Sequence, residues 1–316
     1  MNDLALQLIA LQVGLPLGLI LLHAVVPAAS SAGLWLRSAA IGLLVLHVAL
    51  AGVWLFPPYW TPYALGALML VASLRTGHRL ARRPPARRTW LRWGEVGLGA
   101  IGALASVVLL IPALQGRAAP SDAVDLAMPL GPGTYLVANG GRTEVLNSHL
   151  MTLTEERFRP WRGQSYGVDI VGIDRWGRTA HGLAPTDPRA YVIYGTEILA
   201  PCPGTVVEAL DGVPDMEVPR MDREHMAGNH VLLSCGGAVV LLGHMAPGSV
   251  SVERGDGVAT GDLLGRVGNS GNSNAPHLHI HVQRGLSEEA PLSGEPLWLT
   301  IGGRFPLRND LLSVPE

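Results

Sequence analysis

The chain has 316 residues, of which 48% are hydrophobic and 15% are charged, and its mean hydropathy is +0.29. This composition is too apolar and too weakly charged for a protein that is water-soluble along its whole length, so that class is excluded. The formal net charge of −2 gives no electrostatic reason to expect a nucleic-acid partner.

The excess of apolar residues lies before residue 116, in four segments. Each is predicted to be a membrane-spanning helix, which needs about 20 residues. The segments are about Leu4–Ala28, Leu34–Phe56, Tyr63–Leu74 and Val96–Leu114. The third reaches spanning length only if it begins near Pro58. No cleavable signal peptide is evident, because the first apolar run has no basic start. We therefore expect residues 1–114 to form a four-helix transmembrane segment.

Arginines predict how these helices are oriented. Seven of them separate the third and fourth segments: Arg75, Arg79, Arg82, Arg83, Arg87, Arg88 and Arg92. The positive-inside rule places this loop in the cytoplasm, together with the first loop, which carries Arg37. Both chain ends are then expected outside the cytoplasm. A domain that follows the fourth helix would be extracytoplasmic.

The pattern changes after the fourth helix. Residues 115–133 are rich in Pro, Gly and Ala and predict a linker. Over residues 134–316, short β-rich runs alternate with Gly, Pro, Asn and Asp, which predicts an antiparallel β domain. The runs are Val192–Tyr194, Gly204–Leu210, His230–Leu233, Ala238–Leu242, Leu263–Val267 and His277–Gln283. Residues 150–159 fit a loop or a short helical turn.

The two cysteines of the chain, Cys202 and Cys235, each lie in a strand-like run of the β region. If this domain lies outside the cytoplasm, a disulfide that joins two neighbouring strands is expected. Two unpaired thiols are the alternative.

One run carries three histidines behind the Gly-, Asn- and Ser-rich residues 268–273. It reads Pro276-His277-Leu278-His279-Ile280-His281-Val282. Alternate residues of a β-strand share a face, so the histidines would lie on one face and the apolar residues on the other. Imidazole is the commonest metal ligand and is costly to bury without a partner. The run therefore favours a metal or proton-transfer site over an exposed strand with chance histidines.

Six motif blocks occur in a fixed order between Gln164 and Arg284. They are Tyr166-Gly167-Val168-Asp169-Ile170, residues 195–207, Gly228-Asn229-His230-Val231, Leu242-Gly243-His244-Met245, residues 255–265 and His277-Leu278-His279. Together they resemble the lysostaphin/LytM-type zinc peptidases, which cut peptide bonds in bacterial cell-wall peptidoglycan. An ordered set of blocks is more specific than any short motif.

The resemblance implies an antiparallel β-sheet or sandwich of the duplicated hybrid motif type, with Zn²⁺ as cofactor. In the family, an Asp and the second His of His-x-His bind zinc, and these positions are Asp169 and His279 here. The first His of that pair and a separate strand histidine orient the attacking water and stabilise the developing oxyanion. The corresponding residues are His277 and His244.

One position departs from the family pattern. The first zinc ligand is a His four residues before the Asp, where this chain has Ser165, and a neutral hydroxyl is a poor zinc ligand. We expect His149 to complete the site, with Asn147 either supporting it or forming a turn. His281, His181 and His225 are the other histidines that could complete the site, and His225 is expected in a solvent-facing loop. A site without a third ligand is the remaining alternative.

Three functions are compatible with these residues to different degrees. The first is a membrane-anchored zinc endopeptidase in the inner membrane of a bacterium, acting on peptidoglycan cross-links or another exported peptide. The second, which Ser165 favours, is a metal-free binding or regulatory module of the same fold. The third, a transporter or channel, is disfavoured because Glu95 is the one acidic residue in the predicted spans and lies near a helix start.

Overall fold

The computed structural model of the chain describes residues 3–82, 89–287 and 289–315. The chain divides into two compact units, residues 1–115 and 116–316. The first unit is helical and the second is mainly β-sheet. Three of the arginines used to predict orientation, Arg83, Arg87 and Arg88, lie outside the described residues.

The first unit consists of long apolar helices. Over its described residues the helices are α1 Asp3–Ile9, α2 Leu15–Val25, α3 Ser31–Ala51, α4 Thr61–Ala81 and α5 Thr89–Gln115, with a π-helical turn, Ala10–Gly14, between α1 and α2. Three stretches of this described part are long and apolar enough to cross a membrane: Leu6–Val25, Ser31–Ala51 and Thr89–Gln115. Helix α4 has 21 residues, but it is not a candidate span, because its C-terminal turns carry Arg75, His78 and Arg79. The four predicted spans thus correspond to three candidate spans and one further helix.

Polar side chains bond to one another between these helices. His23 Nε2 lies 3.2 Å from Ser73 Oγ and 3.3 Å from Ser38 Oγ. Glu95 lies 3.6 Å from the Arg37 guanidinium and accepts hydrogen bonds from the N–H groups that precede α3. Such pairing lowers the cost of polar groups among apolar helices.

The second unit is built on one large sheet. The strands are β1 Val124–Leu126, β2 Gly133–Asn139, β3 Val168–Gly172, β4 Glu197–Leu199, β5 Gly204–Leu210, β6 Asn229–Cys235, β7 Ala238–Met245, β8 Gly257–Val258, β9 Leu263–Arg266, β10 Leu278–Arg284, β11 Glu295–Leu297, β12 Leu299–Ile301 and β13 Leu311–Val314. Nine of them form an antiparallel sheet in the order β13-β2-β3-β10-β7-β6-β5-β8, with β11 also paired to β10. Strands β4 and β9 form a separate antiparallel pair, and β1 and β12 a parallel one. The predicted antiparallel β architecture is confirmed.

Strand β10 separates the main core from the face that carries the histidines. Leu278, Ile280 and Val282 are each 0% exposed and belong to the main hydrophobic cluster. His279 and His281 alternate with them and therefore project from the opposite face of the sheet. The predicted alternation along this run is confirmed.

Part of the segment predicted as a linker belongs to the folded second unit. Within residues 115–133, strand β1 pairs with β12. Leu126 and Leu130 are 2% and 1% exposed and pack in the main core. The Pro and Gly residues suggested a linker, but burial of these two leucines fixes the segment on the domain.

Cys202 and Cys235 form a disulfide with their Cα atoms 6.1 Å apart. Cys202 lies just before β5 and Cys235 ends β6, and these two strands pair with each other. The predicted disulfide between neighbouring strands is confirmed. Disulfides persist in oxidising compartments, so this bond suggests that the second unit lies outside the cytoplasm.

A long irregular segment connects β2 to β3. It contains a 3-10 turn at Ser148–Leu150, the short helix α6 Met151–Thr154 and a 3-10 segment at Glu156–Tyr166. Residues 150–159 are therefore short helical turns rather than an open loop. The segment places Asn147 and His149 next to the N-terminal end of β3, where they contact Gly167 and Asp169.

Candidate metal centre

The site is built where β3 and β10 pair. Asp169 lies directly opposite His279 in this antiparallel pair, so both side chains leave the same face of the sheet. His279 Nδ1 lies 2.9 Å from Asp169 Oδ1, and the two side chains are 5% and 10% exposed. A register shift of one residue would turn one of these side chains into the core, so the packing of the sheet fixes the pair.

His149 reaches this pair from the 3-10 turn ahead of α6. Its Nε2 lies 3.5 Å from Asp169 Oδ2, and its ring centroid is 4.8 Å from that of His279. Asn147 orients the ring, because its Oδ1 accepts from His149 N at 3.1 Å and faces His149 Nδ1 at 3.0 Å. Asn147 Nδ2 in turn donates to Gly167 O at 2.9 Å. An Nδ1–H held by an amide oxygen leaves Nε2 with its lone pair for a metal.

Ser165 is buried and bonded elsewhere. It is 0% exposed, and its hydroxyl lies 2.6 Å from Thr152 Oγ1 and 2.6 Å from the backbone oxygen of Arg162. These two contacts use its donor and an acceptor position within the irregular segment. The residue at the usual ligand position therefore acts as an internal tie of this segment.

His244 and His277 lie beside the three potential ligands. Their ring centroids are 4.7 Å apart, and the His244 ring is 5.9 Å from that of His279. His277 Nε2 is 3.5 Å from Asp169 Oδ1. His244 Nδ1 donates to the backbone oxygen of Ser270 at 2.8 Å, and His277 Nδ1 to that of Ala275 at 2.8 Å. Each ring is thus held by Nδ1.

The backbone of His244 is unusual. Its φ is +61°, a conformation that residues with a side chain rarely adopt. The His244 N–H donates to Ala227 O at 2.8 Å, which holds this conformation at the end of β7. Such outliers persist when the surrounding structure over-determines them, and they cluster at functional sites.

Burial and mutual charge set the protonation of the cluster. Burial lowers the pKa of His149 to about 4, despite the opposing charge of Asp169. Burial also lowers the pKa of His244 well below its usual range. Burial would raise the pKa of Asp169, but His149 and His277 hold it well below its usual range. Burial likewise opposes a charge on His277, yet Asp169 raises its pKa overall. A neutral His149 and an ionised Asp169 are the forms that bind a metal.

Two supporting residues have no motif that would reveal them in the sequence. Asn139, at the end of β2, donates through Nδ2 to Asp169 Oδ2 at 2.8 Å. Arg308 donates through Nη2 to Asn139 Oδ1 at 2.6 Å and through Nη1 to Val145 O at 3.0 Å. Arg308 lies 169 residues after Asn139, so only the folded chain brings the two together.

The remaining histidines take other positions. His281 lies behind His279, with Nδ1 3.0 Å from His279 Nε2. Burial lowers the pKa of His281 well below its usual range, with His279 adding to this, and a hydrogen bond with Gln283 opposes it. His225 is at the surface, 2.7 Å from Asp222, and His181 is exposed.

The donor set fits zinc. His149, Asp169 and His279 each offer one ligand atom, and these atoms lie within 4.8 Å of one another. Two imidazole nitrogens and one carboxylate oxygen, with a fourth position open, form a typical catalytic zinc site. The His149, Asp169 and His279 side chains therefore form a candidate metal site, with His244 and His277 next to it.

Comparisons with known proteins agree with this geometry. Residues 190–291 match the family model described as peptidase family M23. The matched range includes His244, His277 and His279 and begins after Asp169. No curated protein matches the chain.

Solved structures of such peptidases are similar to the chain over part of its length. A mutant catalytic domain of the prophage-encoded M23 protein EnpA from Enterococcus faecalis is 23% identical, over 43% of this chain and 78% of that chain, with a TM-score of 0.28. The catalytic domain of the antimicrobial peptidase lysostaphin from Staphylococcus simulans is 20% identical, over 52% and 84%, with a TM-score of 0.26. A zinc containing peptidase from Vibrio cholerae is 15% identical, over 54% and 39%, with a TM-score of 0.28. On the family match and the motif blocks together, the C-terminal half of the chain is a lysostaphin-like domain of peptidase family M23.

Proposed function

We propose that the protein is a membrane-anchored zinc metalloendopeptidase whose C-terminal domain hydrolyses peptide bonds outside the cytoplasm. One observation carries this proposal. His149 brings Nε2 to within 3.5 Å of Asp169 Oδ2 in a chain whose usual first ligand position is Ser165. The donor set of a catalytic zinc is thereby complete without the missing histidine.

In the proposed mechanism, metal binding and proton transfer are assigned to different residues of the site. A zinc ion held by His149, Asp169 and His279 would polarise the scissile carbonyl and lower the pKa of water. His244 and His277 each donate from Nδ1 to a backbone carbonyl, and His277 Nε2 lies 3.5 Å from Asp169 Oδ1. In the proposed site, Nε2 is the atom of each ring that acts on the substrate. One Nε2 can take the proton of the attacking water, and the other can donate to the developing oxyanion.

The substrate we propose is a peptide cross-link of peptidoglycan, with another exported peptide as the wider class. The family supplies a peptide substrate, and the disulfide suggests that the domain lies where the bacterial cell wall is found. We place the protein in the inner membrane of a bacterium, with α4 crossing the bilayer beside the three candidate spans and both chain ends outside. A cytoplasm-dependent fluorescent reporter fused to the C-terminus should be dark, and a bright fusion would contradict this topology.

The activity can be tested on the full-length protein in detergent, loaded with zinc and incubated with cross-linked peptidoglycan fragments. Mass spectrometry of the products would identify the bond that is cut. His277→Ala should lower the rate by about a hundredfold or more, because it removes a group that handles protons. Its zinc content should stay near that of the unmodified protein. Equal rates in the two proteins would exclude this mechanism.

Ser165 favours a second candidate, a metal-free peptidoglycan-binding or regulatory module of the same fold. This alternative makes a different prediction for the same preparation. The protein would sediment with purified cell-wall sacculi, retain no zinc after dialysis and release no peptide. Cleavage that is lost in His277→Ala would rule it out.

A further inference from the structure

Three polar side chains follow one another on the site-facing side of β10. His279, His281 and Gln283 occupy alternate positions, and they are 4%, 1% and 0% exposed. His279 Nε2 lies 3.0 Å from His281 Nδ1, and the two rings meet edge to face with centroids 5.2 Å apart. One imidazole is therefore hydrogen-bonded directly behind a potential metal ligand.

Gln283 fixes the far end of this row. Its Nε2 donates to the backbone oxygens of Pro291 at 2.6 Å and of Gly285 at 3.1 Å. These two acceptors determine which way the amide points. Its Oε1 and His281 Nε2 are both buried, and among the described residues neither forms a hydrogen bond of ordinary geometry.

Metal binding would change where the protons lie. An ionised Asp169 can only accept, so a neutral His279 without metal donates from Nδ1 to Asp169 Oδ1, 2.9 Å away. A metal needs the lone pair of that Nδ1, so the proton of a neutral His279 must then lie on Nε2. His279 Nε2 faces His281 Nδ1 at 3.0 Å, and a neutral His281 protonated on Nε2 accepts there.

We infer that His281 is a positioning residue, which accepts the Nε2 proton of His279 and so stabilises the tautomer whose Nδ1 binds the metal. The inference rests on the metal site of the proposed function. Metal binding would displace the Nδ1 proton that a neutral His279 donates to Asp169. Without an acceptor behind the ring, a proton on Nε2 would be buried with no partner. His281 supplies that acceptor and so lowers the cost of the change.

Zinc affinity of the full-length protein in detergent, measured by competition with a chromogenic chelator, provides the test. His281→Phe fills the buried volume but offers no acceptor, and its affinity should fall by roughly 10- to 100-fold, as for other groups that orient a metal ligand. His281→Asn places an amide oxygen near the position of Nδ1, so its affinity should stay within about threefold of the unmodified protein. If His281→Phe does not fold, His281→Leu replaces it in the comparison. Equal affinities with and without the acceptor would overturn the inference.

Nitrogen-15 NMR of the zinc-loaded protein gives a second readout that is independent of activity. His279 and His281 should both be protonated on Nε2, and His281 Nδ1 should show the chemical shift of an acceptor nitrogen. A proton on His281 Nδ1 would overturn the assignment. A protein that binds zinc with the expected difference between variants, yet cleaves no peptide, would support the role of His281 while contradicting the proposed function.

Discussion

The two sides of the candidate metal centre are built differently. On the sheet side, Asp169 and His279 are opposed in the register of β3 and β10, and neither can move without turning core residues outward. On the other side, the irregular segment between β2 and β3 needs only to bring one nitrogen within reach. Ser165 holds the usual ligand position there, and His149 supplies the donor from elsewhere in the same segment. In the proposed metal site, the loop-side ligand is therefore relocated to His149, whereas Asp169 and His279 keep their positions on the paired strands.

The largest expected effect comes from removing His149, the proposed ligand on the loop side of the site. His149→Ala removes one of three potential ligands, so zinc affinity should fall on the order of a thousandfold, more than the 10- to 100-fold typical of a supporting group. Ser165→Ala is the matched control, and its affinity should hardly change, because the Ser165 hydroxyl is bonded to Thr152 and Arg162. Chelator competition measures both. A larger loss in Ser165→Ala than in His149→Ala would reverse the assignment.

The disulfide on the sheet side tests whether stability and zinc affinity can be changed separately. Cys202 and Cys235 are 33 residues apart in sequence, and closing a loop of this size stabilises a fold by about 3–4 kcal/mol in the chain-entropy model. The double variant Cys202→Ala and Cys235→Ala should lose about that much free energy of unfolding in chemical denaturation. Its zinc affinity should stay unchanged under native conditions. A loss of affinity without a loss of stability would show that the disulfide instead shapes the site.

Lowering the pH should reduce the stability of the metal-free domain, because His149 becomes protonated on unfolding. The pKa of His149 is about 4 in the folded state and 6.5 as the reference value. Between these pH values the unfolded chain binds more protons, so stability falls as pH drops from 6.5 to 4 and is unaffected by this group above 6.5. His149 contributes at most about 3 kcal/mol to the free energy of unfolding, because each unit of pKa difference corresponds to about 1.36 kcal/mol. Chemical denaturation at several pH values should show that the free energy of unfolding falls less steeply with decreasing pH in His149→Gln than in the unmodified protein. Parallel slopes in the two proteins would contradict the low pKa.

The smallest effect concerns the amide that orients His149. Asn147→Ala removes the acceptor for His149 Nδ1 and the donor to Gly167 O. Zinc affinity should fall by about 10-fold, within the 10- to 100-fold range for supporting groups. Asn147→Asp keeps the acceptor and is the matched variant, and it should retain most of the affinity. If Asn147→Ala binds zinc as tightly as the unmodified protein, the turn alone positions His149.

The fold was predictable where local pattern and tertiary environment agree. Apolar length predicted the three candidate spans, but it also predicted a span over the third segment, and α4 is not among the candidates. Strict alternation predicted which face of β10 is buried. For residues 115–133, the Pro and Gly residues predicted a linker. Only the burial of Leu126 and Leu130 shows that part of this segment is folded.

The sequence by itself predicted three candidate spans, the β architecture, the disulfide and the pairing of Asp169 with His279 in one site, because each depends on a short-range pattern or on an ordered set of motifs. It ranked His149 as the third donor but left other histidines open, and the roles of the site residues stay predictions. Only the tertiary structure decided which side chains surround the site. The contacts of Asn139 and Arg308 depend on strand register and on residues that are distant in sequence. No local pattern encodes such contacts, since they form only when the sheet is assembled.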